Sequence, residues 1–163
     1  MKSLNKNKIV LFDIDYTLFD TQTFKDSSLT NFSLYNEVLP VLESLANITE
    51  LGIFSKGEDT FQNYKLQQTG ISNFFKQEHV HVFEDKDINL KSIIGKYKDF
   101  EIYFVDDRLA TLYDAKIINS SVFTIWIKRG PFALNETLLT NFSPDATLDN
   151  LKEVSAIVSG YFK

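Results

Sequence analysis

The sequence predicts an α/β protein, a Rossmann-like three-layer sandwich with a central, mostly parallel sheet. Three observations lead there. Short apolar runs alternate with stretches of about helix length. Those runs are apolar almost throughout, as strands covered on both faces are. Charged and hydroxylic residues follow the runs at their carboxyl ends, the edge where open α/β sheets bind ligands.

The runs are IVLF (9–12), LGIF (51–54), HVHVF (79–83), IYFV (102–105) and VFTIWI (122–127). Between them lie EVLPVLESLAN, EDTFQNYKLQQTG, DINLKSIIGKYK and LATLYDAKIIN, and within the third Leu90 and Ile94 form an i, i+4 apolar pair. Strand alternating with helix predicts right-handed crossovers and helices on both faces of the sheet. Pro131 and Pro144 bracket a less regular segment, and LDNLKEVSAIVSGYF (148–162) is expected to close the fold as a helix. Trp126 reads as core. His79 and His81 share one strand face, and with no third ligand in view they read as structural or solvent-facing. Tyr16, Phe19 and Phe24 are candidates to line the mouth of a site.

A chain of 163 residues, 44% hydrophobic with 15 Phe and 7 Tyr, suits one globular domain spanning 1–163. Its net charge of −5 argues against a broad nucleic-acid surface, though not against a local phosphate site. The absence of cysteine excludes disulfides and thiolate metal sites. No apolar run approaches the roughly 18 residues of a membrane span, and IVLF after the basic start is too short for a signal-peptide core. A soluble, cytoplasmic protein is the expectation.

The polar residues at the strand ends converge. Asp13 and Asp15 follow the first run, Ser55, Lys56 and Gly57 the second, Asp85, Lys86 and Asp87 the third, and Asp106, Asp107 and Arg108 the fourth. So many carboxylates at one rim repel each other unless a hard cation sits among them. Mg²⁺ uses one or two carboxylates, carbonyls and waters, with substrate phosphate completing its shell. A serine hydroxyl and a lysine opposite supply what phosphate oxygens need. Gly57 is expected to leave backbone N–H groups open to an anion where a helix begins at Glu58. A carboxylate nucleophile with a second carboxyl group can split phosphoryl transfer into two steps.

With these residues in place, the chain resembles the haloacid dehalogenase-like (HAD) phosphohydrolase superfamily over residues 9–162. FDIDYTLFD looks like its DxDxT nucleophile motif, GIFSKG like the second motif, Lys86 like the third and VDDR like the fourth, in matching order. The resemblance implies that Asp13 attacks phosphorus to form an aspartyl-phosphate. Asp15 would protonate the leaving oxygen and then activate water. Ser55 and Lys86 would hold the phosphoryl oxygens, with Lys56 and Gly57 beside them, and Thr17 would brace the loop. Asp13, the Asp15 carbonyl and Asp106 or Asp107 would bind Mg²⁺. An acid at position 15 points to a phosphatase or phosphomutase within the superfamily, since its dehalogenase and P-type ATPase branches lack one there.

The chain also departs from the pattern. Ser55-Lys56 stands where many members have Thr-Asn, Asp106-Asp107 where Gly-Asp is usual, and Thr111 and Leu112 occupy a region that often holds a further Asp. Lys91 rivals Lys86 as the phosphate lysine, and Ser55 also reads as a helix cap. A phospho-acceptor or regulatory module is the alternative class, because VDDR also resembles receiver domains. The order of motifs favours the phosphatase. Neither the gap after Thr17 nor that between Ser55 and Lys86 has room for a separate cap domain. An open site is therefore expected, suited to a bulky or macromolecular phosphorylated substrate or to a partner subunit acting as lid.

Overall fold

Six strands pair in a single all-parallel sheet: β1 (Asn7–Phe12), β2 (Glu50–Lys56), β3 (Val80–Phe83), β4 (Phe100–Asp106), β5 (Phe123–Ile127) and β6 (Ala146–Leu148). The structure, a computed structural model, describes residues 7–135 and 141–160. The basic start at residues 1–6 and positions 161–162 of the expected closing helix lie outside the described residues. Spatial order is β3-β2-β1-β4-β5-β6, so the chain works outward from β1 in one direction and then restarts beside it with β4. That reversal leaves a crevice at the carboxyl ends of β1 and β4.

Helices cover both faces, and the alternation of side chains along β1 explains why. Val10 and Phe12 enter one core with residues of α2 (Val38–Ala46), α3 (Asp59–Gln68) and α7 (Val154–Ser159). Ile9 and Leu11 enter the other with α4 (Lys86–Lys96) and α5 (Leu109–Ile118). Successive residues of a strand point to opposite faces, so a strand apolar at every position requires two apolar layers. Full burial of each such side chain stabilises by about 1.5–3 kcal/mol.

Three elements depart from the expectation. Residues 146–148 form an edge strand, and the closing helix begins only at Val154. Asp145 pins that strand by accepting from the Thr124 amide at 2.8 Å and from Lys116 at 2.7 Å. Two short helices also appear, α1 (Thr21–Asp26), capped by the Asp20 carboxylate on the Thr23 amide at 3.0 Å, and α6 (Gly130–Asn135), with Pro131 in its first turn. Phe19 and Phe24 do not line a mouth, since both are buried in the core beneath α1. His79 and His81 both meet the Tyr97 hydroxyl, at 2.9 and 2.6 Å, which is a structural contact.

Candidate active site

Asp13 continues the ladder beyond β1, its amide donating to the Val105 carbonyl at 3.0 Å, which fixes its side chain against the end of β4. There it meets Asp106 and Asp107, and carboxylate oxygens of all three lie within 4.8 Å of one another. Lys86, in the first turn of α4, reaches into the group, with Nζ 3.2 Å from Asp13 Oδ1 and 2.5 Å from Asp106 Oδ2. All four residues are buried. Asp106 Oδ1 also accepts from the Arg108 amide at 2.9 Å, but Asp107 Oδ2 is buried with no hydrogen-bond partner among the described residues.

One ammonium among three carboxylates leaves an excess of negative charge in a poorly solvated place. Burial pushes the Asp13 carboxyl above its ordinary range; Lys86 opposes this, while Asp106 and Asp15 add to it. Burial pushes Asp107 up as well, reinforced by Asp13 and Asp106. For Lys86 burial acts downward, yet Asp106 and Asp13 outweigh it and raise its pKa.

Two residues along, Asp15 has different surroundings. Its Oδ1 accepts from Lys65 Nζ at 2.8 Å and from the Thr21 hydroxyl at 3.0 Å, and its Oδ2 accepts from Gln62 Nε2 at 3.0 Å. Gln62 Nε2 also lies 2.9 Å from Ser55 Oγ and 3.2 Å from the Lys56 carbonyl. The backbone between the two aspartates and α1 turns through Tyr16, a non-glycine residue at φ 61°. Arg129 secures that turn. It donates to the Tyr16 carbonyl at 3.2 Å and to the Thr17 carbonyl, pairs with Glu37 at 2.5 Å, and stacks 3.6 Å from the Tyr35 ring centroid. Gly130, at φ +83°, lets the Tyr16 ring pack in, since a Cβ there would come within 2.5 Å of it.

Asp13, Asp15, Tyr16, Lys56, Asp107 and Phe132 line a cavity of about 240 Å³ at the carboxyl edge. Size does not locate the chemistry. A wider depression of about 590 Å³ lies by the amino ends of the strands, among Asn7, Lys8, Glu50 and Glu101, far along the sheet from the buried charges.

The residues singled out by sequence thus come together at one edge, with differences in detail. Lys86 is buried among the acids whereas Lys91 is exposed. Thr17 is fully buried behind the loop and does not line the cavity; its hydroxyl has no partner among the described residues. The expectation of open N–H groups at Gly57 is corrected. The Gly57 amide donates to the Phe83 carbonyl at 2.9 Å, and the start of α3 is already capped by the Glu58 carboxylate, which accepts from the Thr60 and Phe61 amides. Sequence reasoning missed Thr21, Gln62, Lys65 and Arg129. In α3 the structure turns Phe61 and Tyr64 to solvent and buries Gln62 and Lys65, the reverse of an ordinary amphipathic helix, so residue type pointed away from them.

The sequence matches no protein-family model, and no curated protein matches it. Solved structures do match. A chain from Burkholderia xenovorans LB400 described as a haloacid dehalogenase-like hydrolase has 17% identity and a TM-score of 0.78, over 96% of this chain and 99% of that one. The HAD-hydrolase YfnB from Bacillus subtilis, bound to magnesium, has 13% identity and a TM-score of 0.74, over 94% and 99%. The L-2-haloacid dehalogenase from Xanthobacter autotrophicus, with chloropropionic acid covalently bound, has 13% identity and a TM-score of 0.74, again over 94% and 99%. Structures described as phosphatases stand among the matches beside the dehalogenases. The fold is that of the haloacid dehalogenase-like hydrolases. No described helix is long and apolar enough to cross a membrane.

Proposed function

We propose that this chain, built on the haloacid dehalogenase-like fold, is a hydrolase that removes phosphate from phosphomonoesters through a phosphoryl group carried on Asp13. The observation that supports this best is the buried set of Asp13, Asp106 and Asp107 around Lys86, with one carboxylate oxygen of Asp107 unpartnered among the described residues. Such a set lacks positive charge. A hard divalent cation fits it, and Mg²⁺ suits an all-oxygen site that phosphate completes. Asp13, Asp106 and Asp107, with the Asp15 carbonyl, would hold the ion, and when bound it would offset the charge of carboxylates and phosphate.

The chain's own residues then divide the work. Asp13 forms a bond to phosphorus as the ester P–O bond breaks, and Asp15 gives a proton to the departing oxygen. Water next attacks the aspartyl-phosphate, Asp15 takes its proton, and phosphate leaves with Asp13 restored. Lys86 and Ser55 would neutralise and orient phosphoryl oxygens, and Lys56 at the cavity mouth would draw in the anion. Thr17 acts from behind, within the loop that Arg129 holds.

The matched structures include dehalogenases, so the leaving group has to decide between the two chemistries. A halide departs without a proton, whereas an alkoxide needs one, and a carboxyl group at position 15 would supply it. That favours the ester. The short segment between β1 and α2 also fits a single catalytic domain without a separate cap, with an open site.

The test uses purified protein with Mg²⁺ and a panel of phosphomonoesters. Hydrolysis is expected, lost in excess EDTA and regained on adding Mg²⁺, and mass spectrometry after brief incubation should find phosphate on Asp13. Full turnover in EDTA, or phosphate on Ser55 instead, would overturn the proposal.

A further inference from the structure

We infer that Gln62 and Lys65, on the inward face of α3, are positioning residues that set the Asp15 carboxyl group and tie it to Ser55; this rests on the proposed role of Asp15. Lysine and glutamine are seldom buried without a partner, yet these are exposed by only 5% and 2%. Contacts on each side fix their places. The Lys65 ammonium lies between the Phe19 and Phe61 rings, 5.0 and 4.8 Å from their centroids, and reaches Asp15 Oδ1 at 2.8 Å. Gln62 reaches Asp15 Oδ2 and Ser55 Oγ from one nitrogen, at 3.0 and 2.9 Å. An amide nitrogen has two hydrogens, so a single side chain links the proton-transfer group to the hydroxyl proposed to hold phosphate.

Gly57 gains a reason from the same arrangement. A Cβ at position 57 would lie 2.8 Å from Gln62 Cγ, so the residue after the phosphate-site lysine must lack one for Gln62 to reach inward. The Thr21 hydroxyl closes the third side of Asp15. Both carboxylate oxygens are therefore held by donors from two different helices, and the carboxyl plane has little freedom to turn.

Holding of this kind matters to turnover more than to binding, because proton transfer depends on geometry at the leaving oxygen. Gln62→Leu, Lys65→Met and Lys65→Arg would be assayed with glycerol 2-phosphate, whose alkoxide needs a proton, and with p-nitrophenyl phosphate, whose phenolate does not. In the two disruptive variants kcat on the alkyl ester should fall about 10- to 100-fold with KM within a few-fold, and far less on the aryl ester. Lys65→Arg should recover most of the loss. On an Asp15→Asn background the same changes should cost little more, because their effect runs through Asp15.

Equal losses on both esters, or losses that add to those of Asp15→Asn, would overturn the inference. If Asp15→Asn is itself indifferent to the leaving group, the acid–base reading falls and this one with it. If Asp15→Asn discriminates and the α3 variants do not, only the positioning role falls. Should Gln62→Leu fail to fold, Gln62→Asn, polar but one methylene short, carries the same comparison.

Discussion

Asp13 and Asp15 stand two residues apart, yet the fold treats them in opposite ways. Asp13 lies among acids with one lysine for company, and its neighbour Asp107 has a buried oxygen with no hydrogen-bond donor among the described residues. Asp15 is met by donors on both oxygens, from Thr21, Gln62 and Lys65. The half of the site around Asp15 is complete in the protein alone. The half around Asp13 is short of positive charge, and a cation from outside would complete it. Buried carboxylates without partners are costly, so the unfinished half is where ligand binding has most to stabilise.

The largest consequence should appear in turnover. Asp13→Asn removes the carboxylate proposed to bond phosphorus, so activity should fall by several powers of ten on every ester, with substrate still bound. Asp15→Asn should cost about 10²–10⁴-fold on an alkyl ester and less on p-nitrophenyl phosphate. Steady-state kinetics on both esters, with mass spectrometry to detect the adduct, would separate the two aspartates. Similar profiles for the two variants would erase the contrast.

A smaller effect concerns stability. Added Mg²⁺ at about a hundred times its Kd stabilises the folded state by roughly 2.7 kcal/mol, about 5–10 °C in melting temperature for a domain of this size. The shift should grow with pH. In the metal-free fold the Asp13 and Asp107 carboxyls are raised above their unfolded values, so the fold holds protons more tightly than the unfolded chain. That stability is fully present below the ordinary carboxylate range and is lost as pH climbs above it. Lys86, also raised, stays protonated across the neutral range and leaves the trend unchanged. Melting curves at pH 5 and pH 8, with and without Mg²⁺, would check both sign and size.

The smallest effect isolates one atom. Asp107→Asn removes a buried carboxyl group whose charged form burial and the neighbouring acids disfavour, so at a pH high enough to ionise Asp107 the protein in EDTA should gain about 1 kcal/mol, or roughly 2–4 °C, while losing most of its response to Mg²⁺. Differential scanning calorimetry of the metal-free variant would read it. A lower melting temperature in EDTA would mean that Asp107 is better compensated than its surroundings suggest.

Much of the Asp13 half was legible in sequence because it is written at strand ends. Five apolar runs located five strands, and the acids following β1 and β4 had to meet once those strands were neighbours. The Asp15 half was not legible, because it depends on which way α3 faces. Gln62 and Lys65 belong to types that are usually solvated, and nothing local distinguishes them from Gln67 and Gln68 on the same helix. Gly57 was misread for a related reason, since its need for space is created by Gln62 and not by an incoming anion. The strand at 146–148 escaped because three residues on a sheet edge carry little pattern, and Asp145 anchors it to Thr124, 21 residues earlier.

Arg129 gives the molecule a particular order of events. It ties down carbonyls 113 and 112 residues earlier in the chain, at Tyr16 and Thr17. A ribosome releases the loop after β1 more than a hundred residues before the clasp that secures it. Contacts this distant in sequence form late and slowly. During synthesis the acidic loop therefore waits without its fastening while the intervening residues are added, and a chain cut short before Arg129 would carry every carboxylate of the site yet leave this loop unclasped.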